Sequence, residues 1–384
     1  MRHRGWCNGR MTTASLFRIV PVLLVASGAF SAQPMSPASS AGNQAADQAW
    51  AALDAQRSIA AGAKVTKIKG PVAASRDEAI KVKQERVARA QSFRATAQAA
   101  KEFHTHYPQH PKAAEARRVE ALAAIEAITP HDKAYERTAL AAAAAYRADP
   151  ILPIADRIQV AHAMECVSLK RKLPGSPWFT NPVLAEQMID RLHAEFGEQP
   201  AIWGQYLALA QNTYCDAGKD VAHRIVQSPY APDFTKVAAR RILERYALVR
   251  RPIDFALTPT TGRPTTLAQL AGKTTVVCLW DGSRYPEGPP GLQEHKKNPR
   301  PNTKWVYISL GQLGALPKGR RAALAPLGTT CVEVLGWNSP IAAMLRIDRL
   351  PCVYVLDDQT RLSGFGRIDE LSSLLAGIGR PALP

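Results

Sequence analysis

Residues 274–287 read TTVVCLWDGSRYPE, and the interpretation of the C-terminal part of the chain starts from them. Thr274 to Trp280 is an unbroken apolar and β-branched run, the pattern of a strand covered on both faces and therefore central in its sheet. The stretch Leu279 to Glu287, LWDGSRYPE, then turns polar and carries Gly and Pro, which makes it a loop at the strand's C-terminal end. It contains no cysteine. Lys304 to Leu310 (KWVYISL) and Cys352 to Leu356 (CVYVL) are two further strands, the second opened by the step Leu350-Pro351. Asp357-Asp358-Gln359-Thr360 reads as a hairpin turn into a strand over Arg361 to Phe365. Ile368 to Ile378 reads as a short amphipathic helix with Asp369 and Glu370 near its N-terminus, where the helix dipole favours acids.

Composition changes at Arg250 to Pro252, and the text before it is helical. From Ala46 to Val249 the chain is rich in Ala, Leu, Arg, Glu and Gln. Turn signals divide it, among them Tyr107-Pro108, Thr129-Pro130, Pro150 to Pro153 and Pro174 to Pro177. Apolar positions such as Ala116, Val119, Ala123 and Ala127 recur at helical spacing, and the intervals predict seven to nine helices in antiparallel hairpins. FHTHYPQHPKAAEARRVEALAAI, Phe103 to Ile125, resembles the helix, Tyr-Pro turn and Ala-rich helix of tetratricopeptide-type repeats. The period of about 34 residues that such repeats keep is not sustained, so an irregular solenoid and a helical bundle both remain open. A docking groove and a ligand-free scaffold are equally compatible with this region.

The first 32 residues read as a secretory signal, with Arg2, Arg4, Arg10 and Arg18 ahead of or beside the apolar segment Ile19 to Phe30 and small residues at Ala29, Ser31 and Ala32. Pro21 and Gly28 interrupt that segment, which is too short to span a bilayer as a helix of about 20 apolar residues. Residues 33–45, QPMSPASSAGNQA, are expected to be a linker or disordered mature terminus. The expected layout is therefore 1–32 signal, 33–45 linker, 46–249 helical and 250–384 mixed α/β: a helical, solenoid-like domain followed by an α/β domain. Loss of the signal takes four arginines and no acids from a chain of formal net charge +17, which leaves +13. For an exported chain this basic balance points to an anionic envelope surface or to solubility, and no zinc spacing or RNA-binding signature supports nucleic acid as a partner. Five cysteines then remain, Cys166, Cys215, Cys278, Cys331 and Cys352, of which Cys166 with Cys215 is the candidate disulfide and Cys331 the expected exposed thiol.

In this arrangement residues 252–378 resemble the thioredoxin-like fold, most closely exported domains of the TlpA/ResA and AhpC/TSA type. The resemblance rests on PIDFALTPTTGRPTTLAQLAGKTTVVCLW (Pro252 to Trp280), with its hairpin and Gly272-Lys273 feeding the central strand, and on IDRLPCVYVLDDQTRL (Ile347 to Leu362). It implies a redox loop Trp-x-x-x-Cys-x-Pro-Cys after the central strand. Onto that pattern Trp280 and Pro286 fall in place, but Arg284 stands at the nucleophilic cysteine and Glu287 at the resolving one. Thiol–disulfide exchange needs a thiolate to attack and a second thiol to resolve, and neither Arg nor Glu supplies one. The resemblance also implies that Pro351 is cis and borders a groove whose preceding backbone can pair with an extended peptide.

The expected function is accordingly a non-redox module that binds a protein or extended peptide in the envelope, periplasmic or extracellular, through Trp280, Arg284, Tyr285, Pro286, Glu287, Leu350 and Pro351. It needs no cofactor or metal. The alternative is a thiol–disulfide oxidoreductase or peroxidase-like enzyme using a displaced thiol, Cys352 or Cys278; a third is a structural envelope component. Cys278 and Cys352 are otherwise two small buried residues. The insert Ser283 to Arg300, with His295, Lys296, Lys297 and Arg300, is either a basic binding loop or a solvated one, and Trp305 and Trp337 are expected in the core.

Overall fold

The structure, a computed structural model, describes residues 40–62, 76–172, 181–214, 216–257, 259, 265–270, 272–281, 303–310, 329–332 and 336–376. It divides into two compact units, one ending at Ile202 and one running from Trp203 onward. The first holds helices α1 (Ser40–Gly62), α2 (Arg76–His106), α3 (Ala113–Glu126), α4 (Lys133–Ala148), α5 (Ile154–Lys172) and α6 (Pro182–Phe196). Helix α7 (Pro200–Asn212) crosses the division, and α8 (Asp216–Gln227) and α9 (Asp233–Tyr246) lie in the second unit. Among the described residues nine helices lie between Ser40 and Tyr246, within the seven to nine expected. Helix α1 starts at Ser40, inside the segment expected to be linker, because Ala and Gln there continue the helical text of α1. The compact unit that contains the sheet starts at Trp203 rather than at the composition shift near Arg250.

Small faces pack the helical unit. Leu53, Ala100, Phe103, Ala116 and Val119 form one buried cluster, and Ala97, Ala123, Ala124 and Ala139 another. The starts of α4 and α6 are fixed by side chains that accept from otherwise unpaired backbone amides, whereas α3 starts after Lys112 with no side-chain cap. Asp132 accepts from Tyr135 N at 3.0 Å and Asn181 from Leu184 N at 3.1 Å. Asp132 serves twice, since Oδ1 caps α4 while Oδ2 takes Arg94 of α2 at 2.6 Å. Asp149 repeats the device, with Oδ1 on Ile151 N and Oδ2 on Arg117 of α3.

In the second unit a short antiparallel pair, β1 (Ala256–Leu257) and β2 (Thr265–Thr266), precedes a five-stranded sheet. Its strands are β3 (Thr274–Trp280), β4 (Thr303–Ser309), β5 (Thr329–Val332), β6 (Cys352–Leu356) and β7 (Leu362–Gly366), in the spatial order β5-β4-β3-β6-β7. β3, β4 and β5 run parallel, while β6 and β7 are antiparallel to their neighbours. β3 is central and buried on both faces, as its unbroken apolar run requires. The hairpin turn comes from Asp357, whose Oδ1 accepts from Gln359 N and Arg361 N, with Thr360 at φ 59°. The last segment divides into a 3-10 turn, Ile368–Glu370, and α11 (Leu371–Ala376), preceded in the chain by the short α10 (Pro340–Met344). A parallel β3–β4 pair joined through β3 to an antiparallel β6–β7 hairpin and then a helix is the thioredoxin-like arrangement. The chain is thus a helical region followed by a thioredoxin-like α/β sheet.

Helix α9 is bound to this sheet by more than apolar contact. Tyr214, Tyr246, Leu248 and Val249 pack on the face formed by Val277, Leu279, Cys352, Tyr354 and Phe365. Arg245 is only 3% exposed; its guanidinium lies 5.0 Å from the Phe365 ring centre and 5.6 Å from that of Tyr214, and it pairs with Asp348 at 2.5 Å. Burial alone would lower the Arg245 pKa, but the Asp348 carboxylate holds it above its ordinary value.

The packing sets the expected stability of two pairs of variants, all read by urea unfolding of the whole chain. Asp348→Asn strands a buried guanidinium and is expected to cost about 3–5 kcal/mol. Arg245→Met costs less, because the Asp348 side chain it leaves is one-fifth exposed and can hydrate. A Cβ on Gly218 would lie 2.1 Å from the Thr213 carbonyl oxygen, whereas one on Gly204 meets nothing within 4 Å. Gly218→Ala is therefore expected to destabilise by about 1–3 kcal/mol, and Gly204→Ala in α7 to stabilise by about 0.5–1 kcal/mol. Equal effects at the two glycines would contradict the packing described.

Candidate functional site

The candidate site lies where β3 ends and β6 begins. Leu279 pairs with Cys352 in the antiparallel β3–β6 ladder, so Leu350-Pro351 falls beside the end of β3 at Trp280 and Asp281. The Leu350–Pro351 peptide is cis, in agreement with the resemblance. Both residues are half-buried. Among the described residues the Leu350 amide and carbonyl have no backbone partner. An extended chain could take up these groups in the manner of strand addition.

The loop ahead of Pro351 is held from behind. Arg349 Nη1 donates to Asn212 Oδ1 at the end of α7, and Asp348 is held by Arg245. Tyr354 OH donates to the Leu345 carbonyl at 2.7 Å, which anchors the chain between α10 and the loop. Residues 345–350 are thus fixed by α7, α9 and β6 together. Sequence reading missed Arg245, Asp348, Arg349, Asn212 and Tyr214. Arg245 is written in ordinary helical text, and only its partner across the fold distinguishes it from a solvated arginine. The one local signal was the Asp348-Arg349 pair directly ahead of Leu350-Pro351.

Of the residues expected to bind, Leu350 and Pro351 are at this site. Trp280 is fully buried with Val276, Cys278, Trp305 and Tyr307, on the sheet face opposite the one that Ile347 and Leu350 pack against, and presents no surface to a ligand. It packs edge-on against Tyr307, with ring centroids 6.4 Å apart, and Trp305 stacks on Tyr307 at 5.8 Å. Arg284, Tyr285, Pro286 and Glu287 lie outside the described residues, as does the insert from Ser283 to Arg300 with His295. Trp305 is buried as expected, but Trp337 is 50% exposed, because it falls on the one-turn 3-10 segment Gly336–Asn338 rather than on a strand.

Cys278 and Cys352 are both buried, as the sequence reading allowed, whereas Cys331 and Cys166 depart from expectation. Cys278 and Cys352 are on neighbouring strands, but Cys278 pairs with Val353 and Cys352 with Leu279, one position out of step. Side chains alternate along a strand, so the two thiols point to opposite faces. Cys352 lies with Leu279 and Tyr354, Cys278 with Val276 and Trp280. Burial pushes the Cys352 thiol up to about 12, against the opposing pull of Arg245, and raises Cys278 well above the ordinary range. Cys331, expected to be exposed, is buried on β5, since Ile308↔Cys331 pairing carries it into the sheet. Cys166 is a buried thiol 3.8 Å from His162 one turn earlier on α5, in no disulfide, while its expected partner Cys215 lies outside the described residues. Burial holds His162 neutral, its pKa lowered to about 4. Among the described residues no group of three or more His, Cys, Asp or Glu could hold a metal ion.

No family model matches the chain. No curated protein matches it either. Solved structures similar to it include an uncharacterized thioredoxin-like protein from Bacteroides vulgatus, at 21% identity and TM-score 0.27 over 33% of this chain and 87% of that one. A thiol-disulfide oxidoreductase from Bacteroides fragilis NCTC 9343 aligns at 17% identity and TM-score 0.26 over 32% of this chain and 96% of that one. StoA from Bacillus subtilis aligns at 12% identity and TM-score 0.24 over 33% and 98%. These alignments take in one third of this chain, and its fold is assigned from its own strand order and directions.

Proposed function

We propose that the chain is an exported, non-redox binding protein whose thioredoxin-like sheet takes an extended peptide or protein segment beside Leu350 and Pro351. The observation that carries this reading is the Leu350 backbone, half-buried, unpaired within the described residues and set in a loop fixed by Arg245–Asp348 and Arg349–Asn212. A rigid unpaired amide and carbonyl cost little to order when a strand arrives, so the binding energy is retained as affinity. Arg284 to Glu287 would border the same groove, with Arg and Glu at the two positions where dithiol chemistry requires sulfur. The reading extends to a domain of the TlpA/ResA type with a degenerate site, preceded by a helical domain and an export signal over residues 1–32. No helix among the described residues is long and apolar enough to cross a membrane.

The thiols support the non-redox half of the proposal. At a pKa of about 12 only roughly one Cys352 in 10⁵ would be ionised at pH 7, against a few per cent of a free cysteine. Native labelling with iodoacetamide at pH 7.5 is expected to leave Cys278 and Cys352 unmodified over hours, with full labelling in denaturant. Insulin reduction is expected to be no faster than with the Cys278→Ala, Cys352→Ala double variant. Rapid modification of Cys352 in the folded protein would transfer the assignment to the displaced-thiol enzyme.

Peptide binding has its own test. Peptides selected by phage display on the whole protein are expected to lose at least tenfold in affinity for Leu350→Pro, which removes the amide donor, and to bind the double cysteine variant unchanged. Arg349→Ala, which frees the loop without touching the Leu350 amide, should weaken them less. Undiminished binding to a folded Leu350→Pro protein, checked by near-UV circular dichroism, would refute the site.

A further inference from the structure

The corner between α8 and α9 carries apolar side chains that the fold does not use. Tyr230 is 63% exposed, Phe234 50% and Val237 46%. Their exposure is built in. Ser228 Oγ accepts from Tyr230 N at 3.1 Å and from Ala231 N at 3.2 Å, and Pro229 and Pro232 flank the turn, so Tyr230 is presented by a fixed backbone. On α9, Phe234, Val237 and Arg241 fall three and four residues apart and share one face, with Arg240 at its edge. Thr235, Ala239 and Ile242, about a quarter-turn round the helix, are buried in the unit, and the row of Phe234 and Arg241 itself becomes buried one turn further on, at Arg245.

Charge on this surface is predominantly positive. Over residues 228–243 the bases are Lys236, Arg240 and Arg241 and the one acid is Asp233, at the first residue of α9 where the helix dipole accommodates it. Among the described residues none of the three bases forms an ion pair. One turn beyond Arg240, the Glu244 carboxylate is neutralised by Arg346 at 3.0 Å. The arrangement along α9 is graded: aromatic and aliphatic groups at the first turn and the turn before it, arginines about 9–11 Å further along the axis at the 1.5 Å rise per residue. That depth matches a bilayer interface, where Tyr and Phe settle at the glycerol level and long arginine side chains reach back to lipid phosphates.

We propose that the Tyr230–Phe234–Val237 corner, with Arg240 and Arg241, is a peripheral docking site for an anionic phospholipid surface. The apolar groups enter the interface without crossing it, and the arginines select bilayers that carry negative headgroups. A strongly basic chain would approach any anionic vesicle, so attraction by net charge alone has to be separated from seating of this corner.

The test reads the corner itself. In the full chain, Val237→Cys carrying an NBD fluorophore is presented to vesicles of phosphatidylglycerol with phosphatidylcholine, and to phosphatidylcholine alone. The same label on Arg137→Cys, on the exposed part of α4, serves as control. A blue shift with at least a twofold rise in intensity is expected at position 237 with anionic vesicles only, and none at position 137. Tyr230→Ser with Phe234→Ser should abolish the shift, and Arg240→Glu with Arg241→Glu should weaken vesicle binding at least fivefold, with unfolding midpoints unchanged. The proposal is overturned if the 237 label stays aqueous while the protein co-sediments with vesicles. It is equally overturned if neutral vesicles give the same shift, or if sedimentation velocity shows the corner occupied by a second copy of the chain.

Discussion

A guanidinium taken out of water has to be paid back by a carboxylate in good geometry, and the Arg245–Asp348 contact is where the sheet unit meets that requirement. One partner comes from a helix and the other from the loop that leads to Pro351. The pair therefore fixes two things at once: the azimuth of α9 on the sheet, and the path of residues 345–350. Phe365 and Tyr214 cover the guanidinium on two sides, which excludes water and strengthens the attraction. Without this contact α9 would still bury Ile242 and Ala239, but among the described residues its polar ties would be reduced to the exposed Glu244–Arg346 pair and Tyr246 OH on the Thr213 carbonyl, and the loop would keep only Arg349–Asn212 and Tyr354–Leu345 as anchors. The groove proposed for peptide binding depends on a helix that sequence composition assigns to the preceding helical text.

The strands were legible because central strands covered on both faces are apolar throughout, the parallel-paired TTVVCLW and the antiparallel CVYVL alike. Cys352–Leu356 has the bounds expected from the sequence, and the Asp357 turn follows from its carboxylate meeting the two backbone amides that follow it. What was not legible was pairing. Whether Cys278 and Cys352 share a face depends on a register offset of one residue, which hydrophobic pattern cannot give when both faces are apolar. Cys331 was misplaced for a related reason, since a short edge strand beginning in a Gly-Thr-Thr turn reads as a loop until its partner strand is known. Trp337 illustrates the reverse error: a large aromatic is expected inside, yet its segment is one turn long and has no face to bury.

The candidate site was legible only in part. Pro351 could be located from the resemblance, and Trp280 could be placed at the strand end, but its complete burial removes it from the expected contact surface. The residues that hold the loop come from positions 103 and 137 apart in sequence, Arg245 with Asp348 and Asn212 with Arg349. Polar pairs of that separation carry no local pattern, and each residue alone is common at a surface.

In the helical unit, Asp132 and Asp149 each divide their two carboxylate oxygens between a following backbone amide and an arginine on an earlier helix. Alanine faces slide and rotate on one another with little penalty, because a methyl group offers no relief for a neighbour to key into. A carboxylate at a turn removes that freedom: it starts or bends the chain at a set residue and, with its other oxygen, ties that residue to a helix already in place. The spacing of successive helices is thereby set at their connections rather than along their smooth sides, so that substitutions between Ala and similarly small residues on the faces can accumulate without altering how the stack turns.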